Sequence, residues 1–215
     1  MTEQSVIIVF GAGGPLTPDL EESAARAGIR VAAAVLNRQG PGFSLDATRH
    51  VPVAALTPEL RALPFLCPLF TPANRRAAVA EAQALGLAPA PALADPTAIL
   101  AASARLGDGA WVNAGAILGA LARLGRHVLV NRGAGIGHHA EIGDFASIGP
   151  GAVLAGQVTL GAGAVVGAGA VVEPGLTLGA DSVLAPGAVL RRDLPVGMLA
   201  AGNPARILGP ARQAA

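Results

Sequence analysis

Tyrosine and lysine are absent from this 215-residue chain, and cysteine occurs once. The lone Cys67 excludes an internal disulfide and fits a reducing compartment. Arginine carries all the basic charge, a bias we ascribe to genome composition and not to function. An excess of either charge is also missing. The net charge of +1 removes any electrostatic case for nucleic acid or an anionic membrane surface as partner. The opening Met-Thr-Glu-Gln lacks a basic region and a cleavage site, so no signal peptide is expected and the protein is placed in the cytoplasm. Metal chemistry has little to build on, because no His-x4-His pair and no second cluster of His, Cys and carboxylate occurs at a useful spacing. From Phe145 to Val172 there is no charge at all, a run long enough to raise a membrane span. Its seven glycines and its unbroken repeat argue against one.

What the chain does have is a period of six. Aliphatic residues stand at Leu100, Leu106, Val112 and every sixth position to Leu190, sixteen in all. The next residue is Gly in nine cases and Asn in two (Asn113 and Asn131), and the fourth residue on is Ala in eleven. On an α-helix six residues turn through about 600°, which scatters the series over three faces. On extended chain they return to one face. Six residues are too few for a strand and an ordinary loop, so the expected architecture is a solenoid of short strands and tight corners, three hexads per coil. About five coils would rise roughly 24 Å at the strand spacing of ~4.8 Å. Ala is expected inside the corners, and the Gly or Asn after each aliphatic residue at backbone positions needing φ > 0.

The first ninety or so residues carry no hexads and read as α/β. Val6–Phe10 is a buried strand, followed by Gly11-Ala12-Gly13-Gly14 and a helix whose start is marked by Thr17 as N-cap and Pro18. Gly28 ends that helix, and Ile29–Leu36 is a second strand. Thr57-Pro58 and Thr71-Pro72 repeat the start signal, Gly86 closes the last helix, and Phe65–Phe70 is the strand between. This rhythm implies a small parallel sheet. Ala88-Pro89-Ala90-Pro91 reads as a linker, and the tail after Leu190 is expected to leave the coil axis and cover the exposed last strand. The expected division is 1–92, 93–192 and 193–215.

Two readings stand for the glycine turn: a seat for a phosphate or nucleotide, or a tight turn that lets strand and helix pack. The spacing is not a full G-x-G-x-x-G, since position 16 is Leu, and Asn37 ends the second strand where a carboxylate would hold a ribose. Of the four histidines, His50 lies in a loop region and His127 reads as a surface side chain. His138 and His139 fall two and three places after Ile136, in the middle of a coil face and pointing to opposite sides. Either they are a solvated polar face or one is a general base, since imidazole titrates near neutral pH.

With these residues in view the chain resembles the hexapeptide-repeat acyltransferases, specifically the sialic acid O-acetyltransferase family with its nucleotide-4-amino-sugar N-acetyltransferases. The segments carrying the resemblance are Val130-Asn131, Ile136-Gly137-His138, Ile142-Gly143-Asp144, Ile148-Gly149-Pro150-Gly151-Ala152, Leu154-Ala155-Gly156 and Gly202-Asn203-Pro204-Ala205-Arg206. The resemblance implies a left-handed parallel β-helix, a homotrimer with active sites between subunits, and acetyl-CoA as co-substrate without a metal. It implies acetylation of an amino or hydroxyl group on a nucleotide-activated sugar, in bacterial surface glycan synthesis. His138 would be the base, Gly156 N–H a donor near the thioester carbonyl, and Asn131 and His139 would line the acceptor site. Gly11, Gly13, Gly14 and Asn37 would lie at the nucleotide, and Ser147, Gly156 and Arg206 along the CoA. The chain departs from the family pattern at four places: His139 stands where an Asp or Glu follows the base, Ser147 where a second His is expected, Pro15-Leu16 where His-Gly closes the glycine turn, and Asn37 where an Asp is expected. A non-catalytic trimeric scaffold or sugar-nucleotide-binding protein is the alternative these departures raise.

Overall fold

The computed structural model describes residues 5–212. Val6–Phe10 forms β1, buried but for its first residue. It pairs in parallel with β2 (Arg30–Leu36) on one side. On the other it meets β4 (Phe65–Leu66). An additional strand, β3 (His50–Pro52), extends the sheet to the order β3-β2-β1-β4. All pairs are parallel, as the strand–helix rhythm implied.

Helix α1 (Thr17–Arg26) has Pro in its first turn and Asp19 and Arg26 at its two ends, where each complements the helix dipole. Its N-cap is Leu16 and not Thr17, and no side chain caps it. Thr17 instead donates its hydroxyl hydrogen to Gly14 O (2.8 Å), tying the helix start to the glycine turn. The Thr-Pro signal is fully realised in α2 (Pro58–Arg61), where Thr57 accepts from Leu60 N. Helix α3 (Pro72–Ala84) runs on to Gly86, whose φ is +85°. The strand expected over 65–70 stops at Leu66, because Pro68 has no N–H to pair. The expected linker is fastened down: Phe65 N donates to Ala88 O (2.9 Å) and Ala90 N to Phe65 O (2.8 Å).

From Leu93 the chain coils into a parallel β-helix of two-residue strands in eighteen-residue register, for example Ile99↔Ile117 and Arg105↔Arg123. Face I runs from Ile99–Leu100 to Val189–Leu190 and has six strands, and face II runs from Arg105–Leu106 to Thr177–Leu178 and has five. Face III begins at Leu93–Ala94 and has eight. The aliphatic series fills the interior, each buried Leu, Ile or Val contributing about 1.5–3 kcal/mol. From Ala110 onward the corner alanines are wholly buried, Ala122 and Ala140 among them, while Ala104 is partly exposed.

The corner backbone differs from expectation. Left-handed residues come third after the aliphatic residues from Leu106 to Leu184, not first: Gly115, Leu121, His127, Gly133, His139 and Phe145, for example, have φ between 54° and 67°. The glycine directly after the aliphatic residue serves close approach instead. A Cβ on Gly137 would lie 2.5 Å from Ala155 C, and one on Gly119 2.7 Å from His138 N. The next coil leaves no space for a side chain there.

The C-terminal segment does not leave the axis. Leu194 bridges to Leu178, and Met198–Gly202 adds a parallel strand to Val183–Leu184 on face III. Ala205–Pro210 then folds back antiparallel and places Arg206 in a hairpin. No helix among the described residues is long and apolar enough to cross a membrane.

Candidate functional site

The three faces carry three chemistries outward. Face II presents Arg105, Arg123, Glu141, Thr159 and Thr177, all exposed. Face I presents Ile99, Ile117 and Val153, at 66%, 50% and 46% exposure an uncovered apolar column. Face III is covered by the α/β domain: Trp111 and Leu129 are buried in one cluster with Val9, Leu20 and Leu66.

Polar joints close both edges of that cover. At the corner between faces III and I, Asp95, Asn113 and Asn131 stand one coil apart. Asp95 accepts from Ser23 Oγ (2.7 Å) and from Arg26 Nη2 (2.6 Å) and Nε (2.9 Å). Burial pushes its pKa up, but these bonds and those from Thr97 outweigh it and hold the carboxyl well below the usual range. Asn131 is buried, accepting from Asn113 Nδ2 (3.2 Å) and Arg132 N (2.8 Å). Asp19 anchors α1 to the same corner through Arg132 (2.9 Å).

At the corner between faces II and III the joint is Arg75, a fully buried side chain. Its guanidinium donates to Phe70 O (3.0 Å), Phe145 O (2.6 Å), His127 O (2.9 Å), Ala146 O (3.1 Å) and Ser147 Oγ (2.9 Å), and to Leu69 O. Burial pulls its pKa down to about 10, so it stays charged at neutral pH. Ser147, expected along the CoA, is wholly buried here and donates to Phe70 O (2.6 Å); its hydroxyl belongs to the joint. His127, expected at the surface, is buried between the rings of Phe65 and Phe145. Burial, reinforced by Arg75 and Arg126, lowers its pKa to about 4. Neither Arg75 nor His127 has a local sequence signature, because the β-helix partners of Arg75 lie 52 to 72 residues away and His127 stacks on aromatic rings of other elements. The eighteen-residue spacing of Asp95, Asn113 and Asn131, by contrast, was there to be read.

The third corner, between faces I and II, is where His138 and His139 lie. They form the turn itself, not the middle of a face, with His139 at φ +56°. Both are exposed, and instead of pointing apart their Nδ1 atoms meet at 3.0 Å. The far edge of the His138 ring rests on Gly156 of the next coil: a Cβ there would lie 2.5 Å from Nε2. The family resemblance put His138 and Gly156 in one site, and the coil brings them together. Among the described residues no hydrogen bond links this corner to the α/β domain.

At the carboxyl ends of β1, β2 and β4 opens a cleft of about 340 Å³, bounded by Gly11, Gly13, Asn37, Arg38, Pro41 and Asn74 among others. This is the crevice where parallel sheets bind ligands, beside the strand at which the order reverses. Asn37 Nδ2 and Arg38 Nη1 both donate to Glu81 Oε2 (2.9 and 3.0 Å). The glycine turn does not form the expected cradle of amides. Gly11 N and Ala12 N donate to Val35 O, and Gly14 N to Gly11 O. Gly14 does not line the cleft; a Cβ on it would strike Leu69 Cδ2 at 2.8 Å. Asn131 lines a different cavity, about 410 Å³ and mostly apolar, between Leu16 and Phe70 of the α/β domain and Val165 and Val183 of face III. His50 sits under Gly42 and lines neither cavity. No group of three or more potential metal ligands occurs among the described residues.

Comparison with known proteins adds three findings. Residues 121–156 match the family model for the bacterial transferase hexapeptide (six repeats). The perosamine N-acetyltransferase of Caulobacter crescentus, solved as a histidine-to-asparagine mutant with CoA and GDP-perosamine, is 31% identical. The alignment covers 95% of this chain and 97% of that one, with a TM-score of 0.85. The acetyltransferase domain of PglB from Neisseria gonorrhoeae, solved with acetyl coenzyme A, is 30% identical over 96% of this chain and 100% of that one, with a TM-score of 0.82. A search of curated proteins found no match.

Proposed function

The chain belongs to the hexapeptide-repeat, left-handed β-helix family of nucleotide-amino-sugar N-acetyltransferases, and from that premise we propose that it moves the acetyl group of acetyl-CoA to an amino group of a nucleotide-activated sugar. The observation that carries the site assignment is the stacking of His138 Nε2 on Gly156 at one corner of the coil. A base and a backbone N–H stand side by side there, as acyl transfer requires. The sugar amine attacks the thioester carbonyl carbon while His138 Nε2 takes its proton. Gly156 N–H, with no acceptor within the described chain, faces the oxygen on which charge develops. The C–S bond then breaks, and the proton passes from His138 to the departing thiolate to give CoA and the acetamide. The perosamine enzyme has been solved as histidine-to-asparagine and histidine-to-alanine mutants, which is consistent with a working histidine in that protein.

The polar cleft bounded by Gly11, Gly13, Asn37 and Arg38 takes the nucleotide. It belongs to the domain covering face III, whereas His138 lies on the corner opposite that face. One chain therefore does not bring nucleotide and base together, and we place each active site between two copies in a homotrimer. The uncovered column of Ile99, Ile117 and Val153, which flanks the His138 corner, is the surface a neighbour would cover. Cytoplasm, where acetyl-CoA and activated sugars for surface glycans are made, suits the single reduced and buried Cys67.

The test is release of free thiol from acetyl-CoA across a panel of UDP-, GDP- and dTDP-linked amino sugars, beside His138→Ala. Release with one acceptor, lowered at least about a hundredfold in the mutant, is expected. Undiminished release in the mutant would remove His138 as base, and silence across the panel without CoA binding would remove the transferase reading.

A further inference from the structure

His139 occupies the place where family members carry a carboxylate after the base, and its geometry suggests what it does there. The turn at φ +56° swings its ring against its neighbour, edge to face at 89°, and the two Nδ1 atoms lie 3.0 Å apart. Two neutral imidazoles meeting through Nδ1 share one proton: one ring must donate and the other accept. His139 is also pinned from behind, its N–H donating to Ala120 O (2.9 Å), while Gln157 N holds His138 O (2.8 Å). The carboxylate nearest in sequence, Glu141, points along face II and pairs with Arg123 (3.5 Å). On the coils above, Glu173 pairs with Arg191 (3.2 Å). No carboxylate among the described residues hydrogen-bonds either imidazole.

We propose that His139 is a positioning residue that acts as the hydrogen-bond acceptor for His138 Nδ1–H, so that a His–His pair does the work of a His–carboxylate pair. The proposal rests on His138 being the general base. When His139 accepts at Nδ1, its own proton is on Nε2, and His138 is held in the tautomer whose Nε2 lone pair faces Gly156 and the substrate amine. When His138 takes the amine proton, its Nδ1–H becomes the stronger donor and the bond tightens. No electrons or atoms beyond those of the transfer itself are needed.

The experiment uses three proteins: wild type, His139→Gly, which suits the positive φ and deletes the ring, and His139→Asp, which tolerates the same backbone and restores an acceptor. The expected result for His139→Gly is a fall in kcat of at least about tenfold, with KM for both substrates within about twofold. His139→Asp should recover most of kcat. A wild-type kcat in His139→Gly, a change in acceptor KM alone, or no recovery in His139→Asp would overturn the pair. The 15N shifts of the two imidazoles above pH 8 test it without turnover: His138 should carry its proton on Nδ1, and lose that preference in His139→Gly. An unchanged tautomer would overturn the proposal even if transfer is confirmed, whereas absent transfer with the expected tautomers would overturn only the proposed reaction.

Discussion

Replacing Gly156 by Ala probes the proposed site through a single methyl group. Gly156 does not need a positive φ, so alanine is compatible with its backbone. The new Cβ would stand 2.5 Å from His138 Nε2 and 2.6 Å from Cε1, about 1 Å inside ordinary contact. The backbone of two coils is fixed by the ladder, but the imidazole is the free end of an exposed side chain, so the ring will move and the coil will not. Stability should then change by less than about 1 kcal/mol, since no core volume is altered. The base, however, is pushed off the Gly156 N–H by roughly 1 Å, and a misplacement of that size is worth about a hundredfold. The assay is kcat for thiol release, beside the urea midpoint of the same protein. His138→Ala should lose at least as much, and adding Gly156→Ala to it should cost almost nothing more, because the two act through one contact. A Gly156→Ala enzyme within threefold of wild type, or full additivity in the double mutant, would refute the placement of His138 over this residue.

Three further outcomes follow from the fold. His127 has a folded pKa of about 4, below its unfolded value of about 6.5, so below pH 6.5 the unfolded chain takes up a proton that the native joint refuses. Stability is fully present above pH 6.5 and should fall by up to about 3 kcal/mol by pH 4; a flat urea midpoint over this window, or the same slope in His127→Asn, would contradict it. Arg75→Met strips donors from five buried carbonyls and Ser147, and should cost at least about 3 kcal/mol in urea unfolding; a loss under 1 kcal/mol would mean that water replaces the guanidinium. Ile117→Glu places a charge on the apolar column of face I, and should shift the proposed homotrimer, followed by light scattering, to smaller species with unchanged circular dichroism and little transfer. Retention of the oligomer would place the interface elsewhere.

The solenoid was legible in the chain because its contacts repeat. Leu100, Leu118 and Ile136 must stack if the coil is eighteen residues long, and Ala at the fourth place after each has no other small cavity to fill. The same regularity misled at the corners. Gly after the aliphatic residue looks like a backbone requirement, yet it is the neighbouring coil that excludes a side chain, and the left-handed position two places later accepts Leu121, His127, His139 and Phe145. Which of those corner residues became buried depended on where the α/β domain docked. His127 and His139 occupy equivalent places in their hexads, and differ because Arg75, Phe65 and the α/β domain cover one corner and not the other.

The sequence by itself therefore determined the coil, its interior columns and the parallel α/β sheet, since all of these follow from local pattern or from a period of eighteen, whereas His138 and Gly156 were put in one site by the family resemblance. Only the tertiary structure decided that Ser147 and His127 serve a joint, that the Nδ1 atoms of His138 and His139 meet, and that the cleft at Gly11, Gly13 and Asn37 belongs to the domain covering face III, away from the His138 corner. Those facts depend on which face of a three-sided coil the first domain buries, and the six-residue period alone does not distinguish one face from another; the packing of Trp111 and Leu129 against Val9, Leu20 and Leu66 does.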